Sequence, residues 1–265
     1  MPRFDLLDGL ALHYTDEGEG EPIMLIHGFP FSGDLYRPQR AALSSRFRVI
    51  TPDLRGMGQS DVLPDGYSMD TYADDVAALL DHLGIGQAIV AGMSMGGYVV
   101  FALLRRHPNR VKGLILLDTR AGADTEEGKA GRRRMIEQAR NEGAGAVADA
   151  MLPKMLTEAT RRDAPELADF LRTMMAATPV DGIVGALEAM MERIDSRPLL
   201  PLINVPTLIV VGSEDTVTPP AAAEEMGREI KGAQLVVITG AAHAANLERP
   251  DEVNRAIAAW LDQFS

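Results

Sequence analysis

The stretch Gly92-Met93-Ser94-Met95-Gly96 constrains this chain more than any other. It follows the apolar run Ala88-Ile-Val-Ala and precedes the helix-like Tyr98-Val-Val-Phe-Ala-Leu-Leu-Arg-Arg-His. A Gly-x-Ser-x-Gly between a strand and a helix holds its Ser on a sharp, strained turn, with the hydroxyl pointing away from the sheet. A Cβ at Gly92 or Gly96 would collide with neighbouring backbone there. The following helix aims its N-terminal amides at the Ser, where they can stabilise negative charge.

The rest of the chain supplies the sheet such a turn needs. Strands are expected at residues 10–15, 22–26, 48–52, 88–92, 111–118, 207–212 and 234–238. Several of these are nearly continuous apolar runs, the mark of a mostly parallel sheet buried between helices. The first strands lie too close together for helical crossovers, which predicts an antiparallel start. Tyr72, Val76, Leu79, Leu80 and Leu83 recur at helical spacing, with Gly84 as a stop. Asp251 is expected to cap a final helix whose stripe is Val253, Ile257, Trp260, Leu261 and Phe264. From Gly122 to Arg197 the β-branched runs vanish, and Pro153, Pro165 and Pro179 are expected to separate short helices. Seven of the chain's 14 Met lie in this stretch, as filler or as a deformable apolar wall. It reads as a helical insertion between two strands.

Composition narrows the function. The 265 residues carry 26 Lys and Arg against 38 Asp and Glu, a net charge of −12 that repels polyphosphate, so no nucleic-acid partner is expected. The absence of Cys excludes disulfides, thiolate metal sites and Cys nucleophiles, and fits the cytoplasm. No targeting segment is visible at the start, and no stretch approaches the ~20 apolar residues of a membrane helix. We therefore expect no membrane partner.

A Ser needs a base to take its proton. His243, in Thr239-Gly-Ala-Ala-His-Ala-Ala-Asn, follows the last strand in a loop of small residues that leaves its ring room to reach a neighbour. His82 and His107 read as solvated helix residues, His13 as remote, and His27 as a strut for its own loop. The base needs a carboxylate to orient it. Asp215, in Gly212-Ser-Glu-Asp, is the first choice, with Glu214 and Asp118 as alternatives. For the oxyanion, His27-Gly-Phe-Pro follows a strand, so the backbone amide of Phe29 can join that of Met95. Phe29 and Phe31 are expected to line the acyl site. Met93, Met95, Met151 and Met155 extend it as an apolar pocket.

His27-Gly-Phe-Pro, Asp53-Leu-Arg-Gly-Met-Gly-Gln-Ser-Asp61, Gly92-Met-Ser-Met-Gly-Gly, Gly212-Ser-Glu-Asp and Gly240-Ala-Ala-His together resemble the α/β-hydrolase fold family, in family order over nearly the whole chain. The resemblance implies a mostly parallel central sheet with helices on both faces. It also implies a core of residues 1–121 and 198–265, with a helical cap at 122–197 inserted before the strand leading to Asp215. It makes Ser94, Asp215 and His243 the triad and the Phe29 and Met95 amides the oxyanion hole. Residues 53–61 become a structural turn tied by Arg55 and Ser60. No metal or organic cofactor is implied.

Within the family the chain is most similar to small serine esterases, enol-lactonases and cofactor-free haloperoxidase-perhydrolases. Ser at the elbow disfavours epoxide hydrolases and haloalkane dehalogenases, and Pro30 resembles the Pro that perhydrolases carry beside the oxyanion hole. The expected substrate is a small-molecule ester of small to medium size, cleaved through an acyl-enzyme. The alternative is an enol-lactonase or C–C bond hydrolase on an anionic substrate, served by Arg132, Arg133, Arg134, Arg161, Arg162 or Arg172 of the cap. A non-catalytic receptor on the same frame is the reading from another class. Oligomeric state is left open, a homo-oligomer included.

Overall fold

Successive side chains of a strand point to opposite faces, so each apolar run feeds two cores. In the computed structural model, which describes residues 2–264, Met24, Ile26, Val90, Leu116 and Val211 pack on one face. Ile23, Leu25, Ala91, Leu117 and Val210 pack on the other. These residues lie in an eight-stranded sheet. Its strands are β1 (Arg3–Asp5), β2 (Ala11–Glu17), β3 (Glu21–Ile26), β4 (Phe47–Pro52), β5 (Ala88–Met93), β6 (Val111–Leu117), β7 (Thr207–Gly212) and β8 (Gln234–Ile238). They are ordered β1-β2-β4-β3-β5-β6-β7-β8. β1–β2 and β2–β4 pair antiparallel, and every later pair is parallel. The antiparallel start has a simple cause: only residues 18–20 join β2 to β3, too few for a crossover.

The helices are α1 (Arg37–Leu43), α2 (Met69–His82), α3 (Met95–Arg106), α4 (Glu126–Glu142), α5 (Ala144–Met155), α6 (Glu158–Asp163), α7 (Pro165–Ala176), α8 (Val180–Glu192), α9 (Pro220–Glu229), α10 (Ala245–Glu248) and α11 (Pro250–Leu261). α2, α3 and α9 cover one face of the sheet, and α1 and α11 the other. α4 to α8 all fall between β6 and β7. None of the described helices is long and apolar enough to cross a membrane.

Three local expectations are corrected. β1 was not anticipated, because Arg3-Phe4-Asp5 has no apolar run and owes its strand to pairing with β2. The last helix is not capped by Asp251: it begins at Pro250 with Arg249 as N-cap, because Pro favours the first helical position, and Asp251 lies in the first turn. Pro153 does not break a helix but sits inside α5, near its C-terminal end, whereas Pro165 opens α7 and Pro179 caps α8.

Two polar ties fix the loops beside the sheet's carboxyl rim. The Asp53 carboxylate accepts from the Gly33 amide at 2.7 Å and the Gln59 amide at 2.8 Å. The Ser60 hydroxyl donates to the Asp53 carbonyl at 2.6 Å and accepts from the His13 amide at 2.9 Å. Arg55 forks onto Asp75, both bonds at 2.6 Å, and reaches Asp8 at 3.1 Å.

Strand order positions the site. The chain runs from β3 outward to β4, then returns to place β5 on the other side of β3. The crevice at such a switch point, outside the carboxyl ends of the strands, is where open parallel sheets place ligands. Gly92 of β5 lies beside Ile26 of β3, so the segments after those two strands emerge together.

Candidate active site

Ser94 sits between β5 and α3 with φ 52° and ψ −115°, a conformation L residues rarely adopt. Such backbone costs of order 1–3 kcal/mol and persists only where its surroundings enforce it. Those surroundings are the Leu117 carbonyl, which accepts from the Ser94 amide at 3.0 Å, and the Thr119 hydroxyl, which donates to the Ser94 carbonyl at 2.7 Å. A Cβ at Gly96 would strike the Ile26 carbonyl oxygen, so this position must be Gly. At Gly28 a Cβ would stand 2.7 Å from Met93 Sδ and 3.1 Å from Ser94 Cβ, so that loop can approach the turn only as Gly.

The structure brings three distant side chains together. His243 Nε2 is 2.9 Å from Ser94 Oγ, and His243 Nδ1 is 2.8 Å from Asp215 Oδ2. His243 is 2% and Asp215 3% exposed, so water competes little with these bonds. Asp215 is fixed in turn. Its Oδ1 accepts from the Val217 amide at 2.7 Å and the Thr218 amide at 2.9 Å, and its Oδ2 accepts from the Thr218 hydroxyl at 2.6 Å. Burial pushes the Asp215 carboxyl up, but hydrogen bonding and charge from His243, with the Thr218 bonds, outweigh it and hold the carboxyl below its ordinary value. An ionised Asp215 can only accept, so Nδ1 carries the ring proton and Nε2 is left to accept from Ser94 Oγ–H.

The other carboxylates do not reach the ring. Glu214 is exposed. Asp118 is wholly buried at the end of β6, with φ 41°, and accepts from the Gly212 amide at 2.8 Å. Burial, then the neighbouring charges of Asp215 and Glu248, raise its carboxyl well above the ordinary value, against the bonds from the Gly212 and Ala245 amides. His27 is buried, donating from Nδ1 to the Gly28 carbonyl at 2.8 Å and accepting at Nε2 from the Leu54 amide at 3.0 Å. His107 is paired with Asp74 at 2.7 Å and His82 stacks on Phe4, so neither is merely solvated.

The amides of Phe29 and Met95 lie in the segments flanking this cluster, and neither donates to another group among the described residues. Met95 is the first residue of α3, where amides lack intrahelical acceptors.

A cavity of about 750 Å³ opens over Ser94 and His243. Phe29, Met135, Met151, Met155 and Met190 form its apolar wall. Phe31, Met93 and Met95 do not line it, contrary to expectation. Strand alternation turns Met93 toward the α1–α11 core, which also takes Phe31, while Met95 enters the core under α2 and α3. Of the arginines expected to serve an anion, Arg132 and Arg134 line the cavity, whereas Arg162 and Arg172 pair with Asp163 and Asp149 away from it. Arg133 and Arg161 also lie outside it. Arg120 and Lys154 line it unforeseen, with Asp124 and Glu127 beside them. Asp124 is buried and gathers Arg120, Arg132 and Arg193.

Sequence reasoning also missed Thr218 and Glu248. The first had a signal: an Asp that accepts from the second and third amides after it often closes a turn on a Thr. Glu248 had none. It is buried, and accepts from the Ala242 amide at 2.6 Å, the Thr157 amide at 2.9 Å and the Thr157 hydroxyl at 2.6 Å. The Ala244 amide adds a bond to the Met155 carbonyl at 2.9 Å, so both neighbours of His243 are tied into the same bonding that holds 155–157. Among the described residues no group of three or more His, Asp or Glu is placed to hold a metal ion.

A family model described as the α/β hydrolase fold matches residues 21–250. The AB hydrolase superfamily protein YisY of Bacillus subtilis is 36% identical, over 97% of this chain and 96% of its own. A malate-bound thermophilic esterase from Thermogutta terrifontis superposes with a TM-score of 0.95 at 42% identity, covering 99% of both chains. The enol-lactonase of Burkholderia xenovorans LB400 gives 0.92 at 33% identity, over 98% of this chain and all of the other.

Proposed function

The chain belongs to the α/β-hydrolase fold family, and from that premise we propose that it is a serine hydrolase cleaving carboxylic esters of small to medium size through an acyl-enzyme. The observation that carries this reading is the buried relay from Asp215 through His243 to Ser94, with bonds of 2.8 and 2.9 Å. His243 takes the Ser94 proton as Oγ attacks the ester carbonyl. Asp215 holds the ring in the required tautomer and stabilises the imidazolium. The unspent amides of Phe29 and Met95 receive the oxyanion. The tetrahedral intermediate collapses as His243 protonates the departing alcohol. Water then attacks the acyl-Ser94 with His243 as base, releasing the acid and restoring the hydroxyl. Residues 122–197 act as a cap over the reaction. Its Met side chains adapt the wall to different acyl groups.

The test is hydrolysis of p-nitrophenyl acetate and butyrate. Ser94→Ala should lower kcat by about 10³-fold or more while leaving the circular dichroism spectrum unchanged. Undiminished turnover in that variant overturns the reading.

A second reading has its own observation. Arg120, Arg132, Arg134 and Lys154 line the cavity with Asp124 and Glu127, four cations to two carboxylates, and Arg120 and Arg132 pair directly with Asp124. That surplus favours an ester or lactone bearing a carboxylate, as the likeness to an enol-lactonase and to a malate-bound esterase also suggests. A hemisuccinate ester should then outpace the matching acetate in kcat/KM, with an advantage that shrinks as salt rises. Equal rates for the two esters count against it.

A further inference from the structure

A second cavity, of about 190 Å³, lies behind Tyr98. Its walls come from the sheet-covering helices through Met69 and Ala102, and from the end of α8 and the residues after it through Ala189 and Ile194. Tyr98 lines this cavity and also the one over Ser94. It lies in the first turn of α3, four residues after Ser94, the N-cap of that helix. The Arg193 guanidinium lies 4.1 Å from the Tyr98 ring centroid and pairs at 2.9 Å with Asp124, which lines the larger cavity. Tyr98 is the residue the two linings share, and its ring stands between the spaces with the Arg193–Asp124 pair packed against it.

We propose that Tyr98 sets the chain length this enzyme accepts, and that the space behind it is a latent extension of the site for an alkyl or acyl chain. This rests on the reading of Ser94 as the acyl carrier. The chemistry of the walls supports the class of ligand. Met69, Ala102, Ala121, Ala189 and Ile194 offer apolar surface; Asp70 and Arg105 are paired with each other and Arg193 with Asp124, and Ser68, Glu192 and Ser196 complete the lining. A cavity of ~150 Å³ is enough for a benzene-sized apolar guest. Deleting the ring joins both spaces and adds the volume of the ring itself. Each methylene then newly buried is worth about fourfold in affinity.

The experiment compares p-nitrophenyl esters from acetate to decanoate. Tyr98→Ala should raise kcat/KM for octanoate relative to acetate by about 15-fold or more, the effect of two or more newly buried methylenes. Tyr98→Phe keeps the partition and should keep the native chain-length profile. Tyr98→Ala with Ala102→Met, which refills the space from α3, should lose the gain. Tyr98→Val replaces Tyr98→Ala should Arg193 need a bulkier support. Octanoate binding by calorimetry in the Ser94→Ala background reads the joined space without turnover, so a failed hydrolase reading and a failed partition are told apart. There Tyr98→Ala should tighten octanoate by a similar factor. A folded Tyr98→Ala or Tyr98→Val protein with the native chain-length profile and native octanoate affinity overturns the proposal, as does a gain that survives Ala102→Met.

Discussion

One carboxylate oxygen of Glu248 accepts both the amide and the hydroxyl of Thr157, a residue 91 positions earlier in the chain. The other oxygen accepts from the Ala242 amide beside His243. Glu248→Ala leaves the buried Ala242 and Thr157 amides without an acceptor, each worth about 1–3 kcal/mol, while the Thr157 hydroxyl keeps Thr160 Oγ1 at 3.0 Å. We expect a fall in urea midpoint and a lower kcat. Glu248→Gln keeps one acceptor but turns a donor toward the Ala242 amide, so its loss should be intermediate. Urea unfolding of the three proteins checks this, and a native midpoint in Glu248→Ala contradicts it.

Asp215→Asn replaces an acceptor with an amide that can donate to His243 Nδ1. The ring then carries its proton on Nε2 and offers Ser94 a donor where it needs an acceptor. The geometry survives and the tautomer does not, so kcat should drop by about 10⁴-fold with little change in stability. Steady-state kinetics with a short p-nitrophenyl ester decides this, and a loss below tenfold would show that the carboxylate has little part in orienting the base.

His27 gives the fold an acid-sensitive joint. Burial lowers its pKa, against the opposing pull of Asp53 and the Gly28 carbonyl, so the folded state keeps the ring neutral. The unfolded chain takes up the proton first, so this group's stabilisation is full above its unfolded pKa, about 6.5, and declines as pH falls through and below it. Protonation would also end the Nε2 bond to the Leu54 amide. Thermal unfolding from pH 8 to 5 should show a loss in the native protein that is smaller in His27→Gln. Parallel pH profiles for the two would refute this.

Asp124 and Arg193 are nearly sealed from solvent, with side-chain exposures of 1% and 4%. Asp124→Ala takes the carboxylate from the Arg193 guanidinium, which keeps only its bonds to the Met190 and Gly122 carbonyls, and removing one partner of a buried pair typically costs about 3–5 kcal/mol. Denaturant titration should register a loss of that order. A change under about 1 kcal/mol would mean that water reaches the arginine once the carboxylate is gone.

What could be read from the sequence follows the range of the interactions concerned. The turn at Ser94 was legible because its requirements are local: a strand, two Gly and a helix within a dozen residues. Asp215 and His243 were legible as loop residues after strands, since parallel strands bring their carboxyl ends to one rim. The lining residues were harder. Met93 and Met95 flank Ser94 in sequence, yet the strand pleat and the first turn of α3 send both into the cores. Tyr98, one helical turn further, returns to the cavity. Glu248 looked like an ordinary charged residue before a Pro, because its partners are set by tertiary packing. Arg120 and Lys154 carried no pattern separating them from the other surface cations.

The central claim is that Ser94 carries the acyl group, and covalent trapping tests it most directly. After incubation with an alkyl fluorophosphonate, intact-mass spectrometry should show a single adduct that peptide mapping places on Ser94, with none on Ser94→Ala and much slower labelling of His243→Ala. An unlabelled native protein, or an adduct that persists in Ser94→Ala, contradicts the account.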